Sequence, residues 1–335
     1  HGEGAEGWGE CVADDTPFYS AETASTAWHV LKDFLVPMLT GVELASAADV
    51  WARVARVRGN QMAKAAIEMA AWDLEATQKG VPLWRLLGGD GRPVASGVSV
   101  GIQPSLDALD EQVAAELAAG YQRVKIKIKP GWDLEPARRL RARYPDLRLM
   151  VDANAAYTLD QASHLRALDE LSLMMIEQPL EYDDVLDHAA LQSQIRTPIC
   201  LDESLHTVKI AAEAIRAGAC RIINIKPGRV GGHGPSIEMH DLAASHQVPV
   251  WHGGMLESGV GRAHNIHLST LPNFTLPGDV AASKRYFAPD LIDPEIEVRA
   301  DGTIAVPTGP GIGVTLVADR VAAATLERLE LRSSL

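Results

Sequence analysis

Short apolar runs recur along the middle of the chain, and most of them end in a charged residue. In the clearest run, 123–129, basic residues alternate with valine and isoleucine, which is the period of a β-strand. Similar runs stand at 97–102, 148–154, 173–179, 198–204, 221–227, 249–254 and 274–280. Helix-type segments of about a dozen residues separate most of these runs. The pattern therefore predicts eight strands that alternate with helices.

Strands that alternate with helices favour a parallel sheet, and eight such strands favour its closure into a barrel. The regular interval is also typical of a solenoid. We prefer the barrel because the helical segments differ in length and no capping repeat is evident. The predicted fold class is α/β, a (β/α)7β TIM-like barrel that occupies residues 93–290.

The two ends of the chain follow a different pattern, which predicts an α+β capping domain built from residues 1–92 and 291–335. Residues 1–13 resemble the end of a hairpin, so we expect further residues upstream of them. An Asp-Gly pair predicts a second hairpin turn at 301–302. Helices are predicted at 20–39, 46–57, 61–79, 83–87 and 317–329.

Composition narrows the class of protein. The chain has 335 residues, 47% of them hydrophobic and 22% charged, which is typical of a globular protein with a large core. A net charge of -13 argues against nucleic acid or an anionic membrane as a partner. The three cysteines lack the spacing of a disulfide framework, so we expect a cytoplasmic protein.

Five chemically active residues follow the predicted strands at nearly constant intervals of 25, 25, 25 and 24 residues. The catalytic residues of a parallel barrel lie at the C-terminal ends of its strands. The spacing therefore predicts that all five side chains meet at one rim. They are Lys127, Asp152, Glu177, Asp202 and Lys226.

The three carboxylates of this set predict a metal site. Any one of Asp152, Glu177 and Asp202 could instead cap a helix or pair with a lysine. Three anions at one rim, however, repel one another strongly unless a cation lies between them. Ligands that offer oxygen alone favour Mg²⁺ over Zn²⁺, with Mn²⁺ or Co²⁺ as possible substitutes.

The lysines predict proton transfer. Lys125, Lys127 and Lys129 share one face of their strand, which we assign to the barrel interior. A lysine that is desolvated among other cations can act as a base. Because Lys127 and Lys226 belong to strands on opposite sides of the barrel, a proton could leave one face of a substrate and return to the other. One lysine could equally abstract while the second stabilises the intermediate, or both could merely neutralise the acids.

The motifs KIK, VDAN, IEQPL, LDES and NIKPGRVGG resemble the enolase superfamily in its muconate-lactonizing subgroup. The resemblance is strongest to the N-acylamino acid (N-succinylamino acid) racemase and o-succinylbenzoate synthase family. It extends over nearly the whole chain through EGWGECVA, MAKAAIEMAAWD, KPGWD, GGMLESGVGRA and AVPTGPGIGV. Residues 277–280 lack the Asp-x-Asp of the dipeptide epimerase branch. Lys226 argues against the mandelate racemase branch, which uses a histidine base.

The resemblance implies a role for each candidate residue. It makes Lys127 and Lys226 the acid/base pair, and it makes Asp152, Glu177 and Asp202 the Mg²⁺ ligands. It further implies a set of residues that bind substrate or close the site over it. These are Lys125, Asn154 and Ser99 near the substrate carboxylate or carbonyl, Gly253, Gly254 and Met255 in the acyl pocket, and Tyr19 on a covering loop.

The implied reaction is removal of the proton next to a carboxylate, through an ene-diolate that Mg²⁺ stabilises. Reprotonation from the opposite side gives racemisation, and loss of an adjacent hydroxyl gives o-succinylbenzoate, as in menaquinone biosynthesis. The alternatives are a dedicated synthase, another activity of the subgroup such as cycloisomerisation or acid-sugar dehydration, and a metal-binding barrel without catalysis. Relatives are commonly homo-oligomers, which we also expect here. Among the histidines we expect only His252 to face the rim.

Overall fold

The computed structural model describes residues 4–332, and its first part consists of short helices. Thr23 caps the first helix, because its hydroxyl accepts from the Thr26 N–H while the Thr26 hydroxyl accepts from the Thr23 N–H. The predicted start at residue 20 was therefore three residues too early. A π-helical turn, Leu31–Leu35, joins the first two helices. The helices are α1 (Ala24–Val30), α2 (Val36–Leu39), α3 (Ala48–Val54), α4 (Gln61–Gln78) and α5 (Leu83–Leu87).

The predicted hairpin at residues 1–13 is not seen as such. Residues 1–3 lie outside the described residues, and residues 6–13 are assigned to no strand. This segment runs over the barrel as extended chain, and side chains fix it there. The Glu10 carboxylate accepts hydrogen bonds from the Ser258 N–H and the Gly261 N–H, both at 2.8 Å. The path of the segment thus brings the loop at 14–20 above the rim.

The barrel itself alternates strands and helices as predicted. Its elements follow β1 (Val94–Ala95), which lies outside the barrel sheet. They are β2 (Gly97–Val100), α6 (Leu106–Ala118), β3 (Arg123–Lys127), α7 (Leu134–Arg143), β4 (Arg148–Asp152), α8 (Ala162–Leu165), β5 (Ile176–Glu177), α9 (Leu186–Gln192), β6 (Ile199–Leu201), α10 (Val208–Ala217), β7 (Ile222–Ile225), α11 (Pro227–Val230), α12 (His233–Ser245), β8 (Val250–His252) and α13 (Gly259–Leu268).

Strands β2 to β8 form one parallel sheet in chain order. Its register pairs Lys127 with Asp152 and Asp152 with Glu177, so the predicted residues of neighbouring strands end at the same level. The expected eighth strand at 274–280 is not regular. It nevertheless closes the barrel, because Gly278 bonds to the backbone of the segment before β2 and Thr275 donates to Val250 O. Pro277 cannot donate to such a ladder, which explains the irregularity.

Side chains on the inner face of the barrel form two layers. The lower layer is apolar and contains Met150, Met175, Cys200, Ile222 and Trp251, all buried. The strand positions two residues further on carry the polar side chains of the rim, because successive side chains of a strand alternate between faces. The apolar layer is therefore the floor on which the polar rim stands.

Residues 291–332 return to the N-terminal part of the chain. The turn at 301–302 forms, since the Arg299 N–H donates to Thr303 O. Gly311 accepts from the Leu83 N–H at 2.8 Å, which ties this segment to α5. The remaining elements are β9 (Ile292–Asp293), β10 (Thr303–Ile304), which pairs with β1, β11 (Thr315–Leu316), which pairs with β9, and a shorter final helix than predicted, α14 (Ala318–Ala324).

Helix α13 joins the barrel to both ends of the chain. All ten of its residues are buried. His264 lies 2.7 Å from the Trp8 carbonyl, and His267 lies 3.0 Å from the Ile312 carbonyl. The second ring nitrogen of His267 accepts from the Trp84 N–H at 3.1 Å. Within residues 4–332, no helix has the length and apolar character to cross a membrane.

Candidate active site

A cavity of about 400 Å³ lies over the C-terminal ends of the barrel strands. Its floor and sides carry the polar rim, including Lys125, Lys127, Asp152 and Lys226. The N-terminal part of the chain covers it from above with residues 10–14, Tyr19 and Met62 among others. The arrangement encloses a small polar ligand between the strand ends and the covering segment.

Lys127 stands at the end of β3 and reaches the cavity, with its side chain 30% exposed. Its Nζ lies 2.6 Å from Asp152 Oδ2 and 2.5 Å from Asn154 Oδ1. Asn154 follows β4 in a left-handed backbone conformation, with φ of 41°, which asparagine tolerates better than most residues. Two fixed acceptors therefore orient the amine of Lys127.

Lys226 approaches the cavity from the other side, at the end of β7. Its Nζ donates to Asp202 Oδ2 at 2.7 Å and to the Tyr19 hydroxyl at 2.9 Å. Burial alone would lower the pKa of Lys226, but the charges of Asp202 and the other nearby acidic groups outweigh it and raise that pKa above its ordinary value. In this arrangement Lys226 is a protonated donor.

Lys125 is buried below the two other lysines and touches three acids. Its Nζ lies 2.9 Å from Glu177 Oε2, 3.2 Å from Asp152 Oδ2 and 2.7 Å from Asp279 Oδ2. Burial opposes the charged form, yet Asp279 and the two other acids raise the pKa of Lys125 well above its usual range. Lys125 is therefore a permanent cation at the base of the site.

The three predicted metal ligands influence one another. Burial, followed by the charge of Asp152, raises the pKa of Glu177 to about 7. Burial would also raise the pKa of Asp152 and of Asp202, but the neighbouring lysines, joined at Asp202 by Arg229, lower both. Three buried carboxylates thus share one electrostatic environment at the rim.

Whether these acids fit a divalent cation can be tested on their chemistry and their geometry. The donor set, three carboxylates without sulfur or imidazole, fits Mg²⁺. Across residues 4–332, however, no three acidic, histidine or cysteine side chains surround a common point. Instead the ammonium groups lie on the carboxylate oxygens, and the Asn224 amide donates to Glu177 Oε1 at 2.7 Å. The chemistry of the three carboxylates thus fits Mg²⁺, while in this structure their oxygens are occupied by Lys125, Lys127, Lys226 and Asn224.

The other predicted substrate residues divide into two groups. Ser99, Gly254, Met255 and Tyr19 line the cavity. Gly253 instead lies behind Lys226, because a Cβ at this position would come within 2.6 Å of Lys226 Cε and closer still to Asn224. Glycine there leaves room for the lysine side chain.

His252 does not face the rim, and that expectation was wrong. In β8, Trp251 belongs to the inner apolar layer and Val250 to the core outside the barrel. Since strand side chains alternate, His252 points outward with Val250. Its ring stacks on Phe274 at 6.1 Å and borders a separate cavity of about 330 Å³.

Sequence reasoning missed three charged residues of the site. Asp279 holds Lys125 and also lies 2.7 Å from Arg123 Nη2. Arg229 forms an ion pair with Asp202 and donates to Leu205 O at 2.9 Å. Glu203 accepts from the Asn154 amide at 2.8 Å, and burial together with the charges of Asp202 and Asp152 raises its pKa to about 8. The available signal was their place in the motifs PGDV, NIKPGRV and LDES.

Comparisons with known proteins identify the family that this chain resembles. The model "Enolase C-terminal domain-like" matches residues 108–320, and "Mandelate racemase / muconate lactonizing enzyme, N-terminal domain" matches residues 1–88. The o-succinylbenzoate synthase of Geobacillus kaustophilus is 55% identical over 311 residues, which cover 93% of this chain and 83% of that protein. The N-succinylamino acid racemase of Thermus thermophilus is 50% identical over 315 residues, which cover 94% and 85%.

Solved structures of the enolase superfamily are also similar to this chain. A crystal structure from Enterococcus faecalis V583, described as an unknown member of the enolase superfamily, superposes with a TM-score of 0.92. It is 42% identical, and the match covers 96% of this chain and 87% of that one. A member of the superfamily from Listeria innocua gives a TM-score of 0.93 at 40% identity and covers 96% and 86%.

Proposed function

Because this chain belongs to the enolase superfamily and is an enzyme of its racemase and o-succinylbenzoate synthase group, we propose that it racemises N-acylamino acids, including N-succinylamino acids. We propose further that the same site forms o-succinylbenzoate by dehydration. One observation carries the proposal. Lys127 and Lys226 enter one cavity of about 400 Å³ from different strands, and each is held by its own carboxylate.

The proton next to a carboxylate is weakly acidic because its removal places a second negative charge on the same group. A Mg²⁺ ion held by Asp152, Glu177 and Asp202 would offset that charge, and Mn²⁺ or Co²⁺ could substitute for it. Lys125 adds a fixed positive charge from the chain itself. It is buried and forms ion pairs with Glu177, Asp152 and Asp279, which hold it in place.

Racemisation then needs one amine and one ammonium group. The neutral amine of one lysine takes the proton from its face of the carbon, and the ammonium of the other delivers a proton to the opposite face. Each lysine has the reverse role for the other enantiomer. The separate partners of the two lysines, Asp152 with Asn154 and Asp202 with Tyr19, support this division because each amine is oriented independently.

A dedicated o-succinylbenzoate synthase is the second candidate. It is favoured by the printed names of relatives at 55% and 53% identity. In that reaction a lysine removes the proton next to the carboxylate, and the hydroxyl on the adjacent carbon leaves with a proton as water. This role would place the enzyme in menaquinone biosynthesis. An assay with both enantiomers of N-succinylamino acids and with the cyclohexadiene substrate of the synthase separates the two candidates.

The remaining features of the protein are proposed on the same basis. We propose a small carboxylate as its partner in the site, a homo-oligomer as its assembly and the cytoplasm as its location, without nucleic acid or membrane partners. The net charge of -13 supports the last point. We also propose a capping domain built from residues 1–92 and 291–335 around a barrel of residues 93–290, which the bond between Leu83 and Gly311 supports.

The test uses Lys127→Ala and Lys226→Ala with saturating Mg²⁺. In D₂O, proton NMR follows the exchange of the α-proton of each N-succinylamino acid enantiomer. We expect each variant to lose racemisation by a factor on the order of 10² to 10⁴, the usual contribution of a positioned acid or base. Wild-type exchange of both enantiomers in both variants would contradict the proposal.

A further inference from the structure

We infer that Glu203 is a positioning residue, which holds the amide of Asn154 so that the amide oxygen faces Lys127. This inference rests on the proposed function, since it concerns how the base at Lys127 is oriented. Nothing in the sequence pattern assigned a role to Glu203. It does not line the cavity, so it acts through Asn154 and not by touching substrate.

The orientation of the Asn154 amide follows from its two neighbours. Its nitrogen lies 2.8 Å from Glu203 Oε1, and its oxygen lies 2.5 Å from Lys127 Nζ. Glu203 Oε1 can accept this hydrogen bond whether or not the other oxygen of the carboxyl group carries a proton, and an ammonium group only donates. The amide nitrogen must therefore face Glu203 and the amide oxygen must face Lys127. The reverse orientation would place donor against donor and acceptor against acceptor.

This orientation matters when Lys127 is a neutral amine. Its nitrogen has three positions besides the bond to Cε, and two of them face acceptors, Asp152 Oδ2 at 2.6 Å and Asn154 Oδ1. The two N–H groups of the amine occupy those positions, so the lone pair takes the third. With Asn154 and Asp152 fixed, the lone pair is directed at the position from which a proton would be taken.

Without Glu203, Asn154 could turn its amide. Its side chain is exposed at the rim, while its backbone is fixed by the bond from its N–H to Asp152 Oδ1 at 3.1 Å. A turned amide would present its NH₂ to Lys127. That NH₂ would donate to the lone pair of the neutral amine and compete directly with the substrate proton. Glu203 prevents this by accepting from the nitrogen.

The two carboxyl oxygens of Glu203 have different surroundings. One of its oxygens accepts from Asn154, and the other is buried without a hydrogen-bond partner. A buried acceptor that lacks a partner has a free-energy cost of roughly 1–3 kcal/mol. The place of Glu203 beside the site is thus better explained by a role in orienting Asn154 than by a contribution to the stability of the fold. Lys226, by contrast, has other partners, Asp202 and Tyr19, so the effect of Glu203 should be confined to Lys127.

The experiment compares Glu203→Ala with Glu203→Gln. Both are measured at saturating Mg²⁺, so that a change in metal affinity does not alter the exchange rates. Exchange of the α-proton in D₂O is measured for each enantiomer, and Lys127→Ala and Lys226→Ala identify which enantiomer each lysine serves. In Glu203→Ala we expect the enantiomer served by Lys127 to exchange on the order of 10- to 100-fold more slowly. The other enantiomer should change by less than about threefold. In Glu203→Gln the glutamine oxygen still accepts from Asn154, so we expect the rate to return to within about fivefold of wild type.

An equal loss for both enantiomers, or no loss for either, overturns the inference. A wild-type enzyme that exchanges neither enantiomer would instead refute the proposed function. A second measurement needs no substrate and no variant of Glu203. The chain has five asparagines, and ¹⁵N-asparagine labelling with Asn154→Ala identifies the Asn154 side-chain signal. We expect its amide protons in wild type to exchange slowly with water, and exchange as rapid as that of a free asparagine amide overturns the inference.

Discussion

The Tyr19 hydroxyl accepts a hydrogen bond from Lys226 Nζ at 2.9 Å, although the two residues are 207 positions apart in the chain. The same hydroxyl lies 3.2 Å from Asp202 Oδ1, and the lysine lies 4.6 Å from the centre of the tyrosine ring. The covering loop of the N-terminal part therefore completes the environment of one of the two candidate acid/base residues. The other, Lys127, has no such contact with Tyr19 among the described residues.

Removing the Tyr19 hydroxyl should slow the reaction of one enantiomer more than that of the other. In Tyr19→Phe we expect the rate for the enantiomer served by Lys226 to fall about tenfold, which corresponds to the loss of a hydrogen bond to a charged group worth about 1.5 kcal/mol. The enantiomer served by Lys127 should change much less. Initial rates for both enantiomers test this.

Phe18 offers a matched control on the same loop. Its side chain is 91% exposed and lies outside the lining of the cavity. Phe18→Ala should leave both rates near wild type. If Phe18→Ala and Tyr19→Phe lower both rates alike, the loop acts by general packing and the contact with Lys226 is not specific.

Buried histidines on α13 should make the stability depend on pH. Burial lowers the pKa of His264 and of His267 to about 4, from about 6.5 in an unfolded chain. The unfolded chain therefore binds more protons, and the free energy of unfolding should fall as the pH drops from 6.5 toward 4. Glu68 opposes this trend, because burial raises its pKa to about 7 and the folded state then gains stability as the carboxylate is protonated.

A difference measurement separates His264 from Glu68. His264 lies 2.7 Å from the Trp8 carbonyl and 2.9 Å from His233, and in His264→Gln the amide can replace both hydrogen bonds without titrating. Between pH 7.5 and 5.5 the free energy of unfolding of the variant should fall by about 1.4 kcal/mol less than that of wild type. Urea unfolding at the two pH values measures it, and parallel pH dependences of the two proteins would exclude His264 as the titrating group.

The fold could be predicted in large part because its signals are local. The alternation in 123–129 and the apolar runs before Asp152, Glu177 and Asp202 identify strands, and their interval brings their ends to one rim. The structure shows that the three acids do lie close together at this rim, as the interval predicts. Their roles as ligands, and those of the lysines in proton transfer, stay predictions.

What could not be predicted depends on contacts between distant segments. Asp279 lies in the run 274–280, which does not form the regular strand that was predicted, and its partners Arg123 and Lys125 precede it by more than 150 residues. The outward direction of His252 depends on the bounds of β8, which an apolar run leaves uncertain by one residue. Residues 6–13 are assigned to no strand, and Glu10 among them accepts from the Ser258 and Gly261 N–H groups of the barrel instead.

Removal of divalent cations should abolish activity and leave the fold intact. The three carboxylates already have protein partners, since Lys125, Lys127 and Lys226 donate to their oxygens. These ion pairs limit the repulsion between the acids. After treatment with EDTA we expect exchange of the α-proton to stop and the far-UV circular dichroism to remain unchanged.

Addition of Mg²⁺ should restore the activity, as should Mn²⁺ or Co²⁺, because all three accept oxygen ligands. Calcium serves as a control for ionic strength and for a larger hard cation. Full activity in the presence of EDTA, with metal content below a few per cent by elemental analysis, would contradict the role of the carboxylates as ligands.

We expect Asp279 to contribute to the stability of the protein and to substrate binding, although it lies outside a regular strand. It forms ion pairs with Arg123 and Lys125, and both cations are buried. Asn in its place keeps the shape of the side chain but leaves two buried cations with one negative charge fewer. Breaking a buried pair in this way costs roughly 3–5 kcal/mol of the free energy of unfolding. In Asp279→Asn we therefore expect a large loss of stability in urea and a higher KM, because Lys125 is no longer held below the substrate carboxylate.

Asp301→Asn is the matched control, since that aspartate caps an exposed turn through Thr303 and contacts no buried cation in the described structure. It should change stability by no more than about 1 kcal/mol, the usual size of one exposed hydrogen bond. Asp279→Glu provides the opposite test, because it restores the charge in a longer side chain. If Asp279→Asn keeps wild-type stability and KM while Asp279→Glu loses both, packing at this position and not its charge supports Lys125.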